Sequence, residues 1–210
     1  PVDPEDPDDP GETGGDDTPV PLGAKVWSGG GEDNTWSAAA NWGGGVAPIS
    51  AESLFFTGSA RRATTNDLKS AADPLTVSAL TFARKAGAFT LSGNPVKPST
   101  TLTISSHGSR TQAIALDIAD SAFSTLWQPE SGLLAMKGAI TSSRGADTLI
   151  QDARGALVLQ GSLNFTAAAP GLHVRNGTVV VDLAAGASVT NTIRLTLGNS
   201  QAITDAKLDE

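Results

Sequence analysis

Short apolar runs recur along the chain from residue 54 onward and alternate with segments rich in Gly, Ser, Asn and Asp. The runs read LFFTG, LTVSALTF, AFTLSG, TLTIS, AIALDI, LLAMKG, ALVLQG, LHVRNG, TVVVDL and IRLTLG. Runs of this length bounded by turn residues predict β-strands. The Ala-rich stretches SAAANW and FTAAAPG are short and end at Asn, Pro or Gly, so no segment predicts a helix. The pattern therefore predicts an all-β fold.

Two of these runs repeat each other at an interval of 23 residues. The segment Leu134–Ile140 (LAMKGAI) aligns with Leu157–Leu163 (LVLQGSL), and Phe89–Gly93 (FTLSG) lies 45 residues before the first, about two such periods. The run IRLTLG at 193–198 continues the spacing less regularly. A period of about 20 to 25 residues is typical of one coil of a parallel β-solenoid, which buries a column of aliphatic side chains. Several strands also fit the spacing of about 8 to 12 residues found in antiparallel sandwiches, so a β-sandwich is the alternative fold.

Charge divides the chain into an acidic N-terminal segment and a neutral remainder. Residues 1–22 carry eight of the 22 acidic residues, six of the 12 prolines and no Lys or Arg. We call this segment the acidic arm and expect it to be extended and polyproline-II-like, with a solenoid domain over 23–210. The remaining 14 acidic and 14 basic residues balance, and the sequence shows no basic stripe. Nucleic acid is therefore not an expected partner.

Composition excludes several other classes of site. The chain has no Cys, which excludes disulfides, thiol nucleophiles and Cys-based metal sites. It has no apolar run of 18 residues, so we expect no membrane insertion. Because it begins without Met and without a signal segment, we expect a processed or excised piece of a larger protein.

Three of the four tryptophans lie within WSGGGEDNTWSAAANW, at Trp27, Trp36 and Trp42. Large aromatic side chains at the start of a solenoid are expected to close its first coil, which predicts a cap over about 26–48. The alternative is an exposed aromatic platform that stacks on sugar rings, as a carbohydrate-binding module would need. Trp127, in FSTLWQ, is expected to pack within a strand layer rather than to contact a ligand.

The same glycine-rich segment contains three oxygen-bearing side chains that are candidate metal ligands, Glu32, Asp33 and Asn34. Their spacing matches neither an EF-hand nor the G-G-x-G-x-D calcium repeat, so a turn closed by Asp and Asn side chains is the favoured interpretation. No GK[ST] follows the glycines, which excludes a phosphate-binding loop.

Candidate catalytic residues are few. The two histidines, His107 and His173, lie in SSHGS and LHVRN, away from any G-x-S-x-G nucleophile motif. Asp117 and Asp120 are three positions apart on a strand, where side chains alternate, so they face opposite sides and cannot form a local carboxylate pair. We expect Asp147, Asp152 and Asp182 to lie in or beside turns. The sequence predicts no catalytic residues, no cofactor and no enzyme.

The motifs of the first half resemble the autotransporter-associated β-strand repeat proteins of bacteria. The resemblance rests on W-S-G-G-G-x-x-x-x-W-S-x-x-x-N-W, then G-G-V-A-P, L-F-F-T-G, T-T-N-D-L, S-A-L-T-F and G-A-F-T-L-S-G-N between residues 27 and 94. It implies a right-handed parallel β-helix, secreted or displayed on a bacterial cell surface, that serves as the stalk or passenger region of a larger protein. Such a family brings no catalytic residues to this chain.

The sequence thus favours a non-enzymatic structural protein that joins into homo-oligomers or filaments through its solenoid ends and its acidic arm. A carbohydrate-binding or adhesive module, with polysaccharide as partner, is the first alternative. A polysaccharide-degrading β-helix enzyme is the second.

Overall fold

The computed structural model describes residues 18–120, 122–145, 148–167 and 170–198, so most of the acidic arm and Asp147 lie outside the described residues. The described chain consists of strands and turns, with one short 3-10 helix at Ala39–Asn41. The strands are β1 (Lys25–Trp27), β2 (Glu52–Phe56), β3 (Ala63–Asn66), β4 (Leu75–Phe82), β5 (Thr90–Gly93), β6 (Val96–Ser106), β7 (Gln112–Ile114), β8 (Thr125–Pro129), β9 (Leu133–Met136), β10 (Ile140–Ser142), β11 (Leu149–Leu159), β12 (Leu163–Phe165), β13 (Gly171–Val181), β14 (Val189–Thr190) and β15 (Arg194–Leu197).

These strands stack in three parallel columns, one for each side of a coil. The first side contains β1, β2, the ends of β4 and β6, β8, the starts of β11 and β13, and β15. The second side contains β3, β5, β7, β9 and the ends of β11 and β13. The third contains the starts of β4 and β6, then β10, β12 and β14. The molecule is a parallel β-solenoid of about six turns, which confirms the predicted fold; the antiparallel sandwich is wrong.

The strand register confirms the repeat found in the sequence. Leu134 pairs with Leu157 on the second side, and Leu91 is joined to Met136 through Ile114 of the coil between them. The run IRLTLG is an exception, because Leu195 pairs with Leu172 on the first side. All three sides carry alternating aliphatic residues, so the pattern alone does not identify the side on which a strand lies.

The core is a column of inward side chains contributed by all three sides. Leu80, Ile104 and Trp127 of the first side are fully buried, as are Leu91 and Ile114 of the second. Burial of apolar surface stabilises by about 25 cal/mol per Å², so this continuous column supplies the main driving force for folding. No helix in the described part of the chain is long and apolar enough to cross a membrane.

Candidate functional site

The tryptophans of the N-terminal segment close the first coil. Trp27 and Trp36 are 0% exposed and Trp42 is 2% exposed. The Trp27 and Trp42 rings meet edge to face with centroids 5.1 Å apart, and all three tryptophan rings lie within about 6.4 Å of the Phe56 ring. Aromatic pairs favour this geometry. The rings therefore fill the end of the core and do not form an exposed platform for sugars.

Each indole N–H of the cap donates to a nearby oxygen. Trp36 Nε1 donates to Thr64 Oγ1 at 2.9 Å, Trp42 Nε1 to the Trp36 carbonyl at 2.8 Å, and Trp27 Nε1 to the Ala60 carbonyl at 3.4 Å. Buried polar groups are costly unless they are paired in this way. The cap is thus bonded to the coil below it as well as packed on it.

Asn41 holds the glycine-rich loop over the tryptophans. Its buried side chain accepts from the Gly31 N–H at 2.9 Å and donates to the carbonyls of Asp33 and Thr35 at 3.0 and 2.9 Å. A Cβ on Gly31 would lie 2.7 Å from Asn41 Oδ1, which explains the glycine at this position. The segment WSGGGED therefore forms a fixed loop that covers the N-terminal end of the core.

Two of the three candidate metal ligands, Asp33 and Asn34, make hydrogen bonds that shape the glycine-rich loop. Asp33 Oδ1 accepts from the Thr35 N–H at 2.9 Å and from its hydroxyl at 2.8 Å, and these two bonds hold the pKa of the Asp33 carboxyl below its ordinary value. The Asn34 carbonyl accepts from the Thr65 N–H, and Glu32 is exposed. Across the described ranges, no three His, Asp or Glu side chains cluster as a metal site would require.

A second feature runs along the corner turns where each coil passes from the first side to the second. We call this surface the basic edge; it comprises residues 57–62, 83–89, 107–111 and 130–132, which lie between strands, and residues 152–155 and 175–177, where β11 and β13 turn the corner with an irregular register. Glycines let these turns stack closely: a Cβ on Gly108 would lie 2.3 Å from the Arg84 carbonyl oxygen, and one on Gly155 would lie 2.6 Å from that of Gly132. Any larger residue would push the turns apart.

The basic edge carries half of the basic residues of the chain. Its seven Lys and Arg residues, of 14 in the chain, are Arg61, Arg62, Arg84, Lys85, Arg110, Arg154 and Arg175. Only Glu130 and Asp152 oppose them within these turns, which leaves a net charge of +5 with His107 neutral. The turns from the second side to the third hold four Asp and two Lys, a net charge of −2. Residues 23–210 are therefore neutral in sum, but their charges are unevenly distributed among the turns of the coils.

The absence of a basic stripe, inferred from the sequence, is thus wrong. The basic residues of this surface stand far apart along the chain and come together only because successive turns stack. Glycine marks the stacking position in each coil, at residues 87, 108, 132, 155 and 177. That recurrence was visible in the sequence and could have revealed the surface.

An open groove of about 580 Å³ lies where the basic edge meets the cap, between Asn34 and Thr90, with Arg61 and Arg62 in its wall. Arg61 has a left-handed backbone, with φ of 48°, and its Nε donates to the Gly29 carbonyl at 3.2 Å. Such a conformation persists only where the surroundings fix it. Arg61 therefore joins the cap to the basic edge, whereas Arg62 is exposed.

Side-chain contacts link coils within the basic edge. Glu130 lies within hydrogen-bonding distance of His107 Nδ1, at 2.8 Å, and forms an ion pair with Arg84 at 3.7 Å; Asp152 forms an ion pair with Arg175 at 3.4 Å. Arg84, His107 and Glu130 are spaced by 23 residues, the length of one coil. Exposed pairs of this kind contribute about 0 to 1 kcal/mol each. These contacts fix the positions of side chains on the basic edge more than they stabilise the fold.

The remaining polar candidates support the fold. His173 Nε2 lies 2.8 Å from the Gly198 carbonyl, and Asp117 accepts from the Ala139 N–H at 2.7 Å. Asp182 accepts from Gln160 at 3.4 Å, whereas Asp120 is exposed. Each of the bonded side chains ties one coil to the next.

No family model, curated protein or solved structure matches this chain.

Proposed function

We propose that this protein is a non-enzymatic structural solenoid, secreted or displayed on a cell surface, that associates through its C-terminal end. The observation that supports it is the open core at the last described coil. Val181, Val189, Leu195 and Leu197 all occupy inward positions of the column yet are 37–50% exposed. Inward aliphatic residues left in contact with water favour a further layer of stacked strands.

The backbone at this end supports the same proposal. Among the described residues, β15 pairs only with β13, and β14 pairs only with β12. Within the described ranges the outer edges of these two strands have no strand partner, and such an edge acts as a template for another strand. The opposite end is closed by the tryptophan cap.

The difference between the ends determines the kind of assembly that we propose. A head-to-tail filament needs two complementary surfaces, one at each end. Because, among the described residues, inward aliphatic side chains are exposed at the last coil and not beneath the cap, two copies would join at this coil around a two-fold axis, and the assembly would close as a dimer. The filament expected from the sequence would require the cap to open.

Sedimentation equilibrium of the full chain over a range of concentrations tests this proposal. We expect reversible dimers, and we expect the double variant Val181→Lys/Leu195→Lys to remain monomeric because it places charge on the open core. Val46→Lys/Ile49→Lys is the matched control, since these residues are 53% and 66% exposed beside the cap. It should dimerise normally. A wild-type protein that is monomeric throughout, or turnover of a polysaccharide by the pure protein, would overturn the proposal.

A further inference from the structure

The described end of the acidic arm contacts the basic edge. Thr18, the first described residue, accepts a hydrogen bond through Oγ1 from the backbone N–H of Arg84 at 2.8 Å. Arg84 and Lys85 lie in the second of the six stacked turns of the edge. The chain that precedes Thr18 is therefore attached at a surface of net positive charge.

The chemistry of that preceding segment complements the surface. Residues 1–17 contain all eight acidic residues of the arm and no Lys or Arg, against a net charge of +5 on the basic edge. Opposite charges at this density attract over about 10 Å at 0.1 M ionic strength. Four prolines in the same segment restrict the unbound chain, which lowers the entropy lost on binding.

The lengths also fit. Neighbouring coils are about 4.8 Å apart, so the six turns of the basic edge span about 24 Å. An extended segment of 17 residues covers about 50 Å at about 3.1 Å per residue. The arm can follow the whole edge in either direction from Thr18. Because it is tethered there, its effective concentration is in the millimolar range.

From these observations we infer that the basic edge is a binding surface for an extended acidic peptide, and that its occupant is residues 1–17 of the same chain. Arg62, Lys85 and Arg154 are exposed on successive parts of this surface and provide its accessible cations. The eight negative charges of the docked arm more than offset the net charge of +5 on the edge, so that an external polyanion can bind there only by displacing the arm.

Carbodiimide cross-linking of the full-length protein tests this inference, because the reagent joins only amines and carboxylates that are in contact. Lys85 is the one lysine of the basic edge; Lys69, Lys97 and Lys137 lie elsewhere on the surface and serve as controls. We expect at least about a five-fold excess of links from the arm to Lys85 over links to each control. About 0.5 M sodium chloride, where the Debye length is about 4 Å, should reduce that excess strongly.

Isotope labelling distinguishes an arm that is docked on its own chain from an arm that is docked on another copy. In an equimolar mixture of ¹⁵N-labelled and unlabelled protein, an arm docked on its own chain gives links within one isotope only. Mixed-isotope links would overturn the inference in favour of exchange between copies. Lys85 links no more frequent than those of Lys97 and Lys137 would overturn it altogether.

Binding to heparin provides a second readout that does not depend on Lys85. Replacing all eight acidic residues of the arm by Asn or Gln should strengthen retention on heparin, because the edge is then uncovered. Adding Arg62→Gln and Arg154→Gln should abolish that gain, whereas adding Lys97→Gln and Lys137→Gln should not. Equal retention with and without the acidic residues would contradict self-docking and favour an external polyanion as the occupant.

Discussion

The first and the last described coils of the solenoid leave the same aliphatic core exposed to different degrees. At the N-terminal end, Trp27, Trp36 and Trp42 fill the column, their N–H groups are bonded, and Asn41 fixes a glycine loop over them. At the C-terminal end, Leu195 and Leu197 take inward positions but remain 44% and 37% exposed. A periodic sequence extends a stack of coils, but closing the stack requires residues that break the period.

The largest expected loss of stability comes from truncating an inward core residue, and the two ends can be compared by truncating one such residue at each. Trp36→Ala removes a fully buried ring and should lower the free energy of unfolding by about 3 to 5 kcal/mol. Leu195→Ala removes a half-exposed side chain and should cost less than about 1 kcal/mol. Urea denaturation followed by circular dichroism measures both. Equal losses at the two ends would show that the cap does not support the fold as described.

Close stacking near the open end can be tested with two glycines. A Cβ on Gly161 would lie 1.9 Å from the Gly138 carbonyl oxygen, whereas one on Gly145 meets nothing within 4 Å. We expect Gly161→Ala to lower the free energy of unfolding by about 1 to 3 kcal/mol because it overpacks the stack. The melting temperature should fall as a result. Gly145→Ala should leave it nearly unchanged. A tolerated alanine at Gly161 would mean that the last coils are loosely stacked as well as open.

The smallest effect concerns the acid sensitivity of the cap. Because its bonds to Thr35 lower the pKa of the Asp33 carboxyl in the folded state, the stabilisation it provides is present above the unfolded pKa of about 4. It is lost as the pH falls through the lower, folded value. Asp33→Asn should therefore be less stable than wild type at neutral pH, and the difference should shrink as the pH falls below about 4, the unfolded pKa. A constant difference across this range would exclude the carboxylate as its source.

The sequence predicted the strands and the coil length because Leu and Gly recur at matching positions in LAMKGAI and LVLQGSL, and the register confirms both. It did not distinguish TVVVDL and IRLTLG, which lie partly exposed at the end, from similar runs that are buried, because exposure depends on what stacks above a strand. The basic edge was missed for a related reason. Arg62, Lys85 and Arg154 are separated by one to four coil lengths in the sequence and share one surface only because the turns stack.

Hydrogen exchange measured by NMR, strand by strand, tests the closed and open ends most directly. Amides of β2, β4 and β6, beneath the cap, should exchange at rates set by global unfolding, and protection should fall progressively through β11 and β13 to β15. This gradient is the result expected for a single parallel stack that is closed at the tryptophans and open at its C-terminal coil. Uniform protection, or faster exchange beneath the cap than at β15, would contradict it.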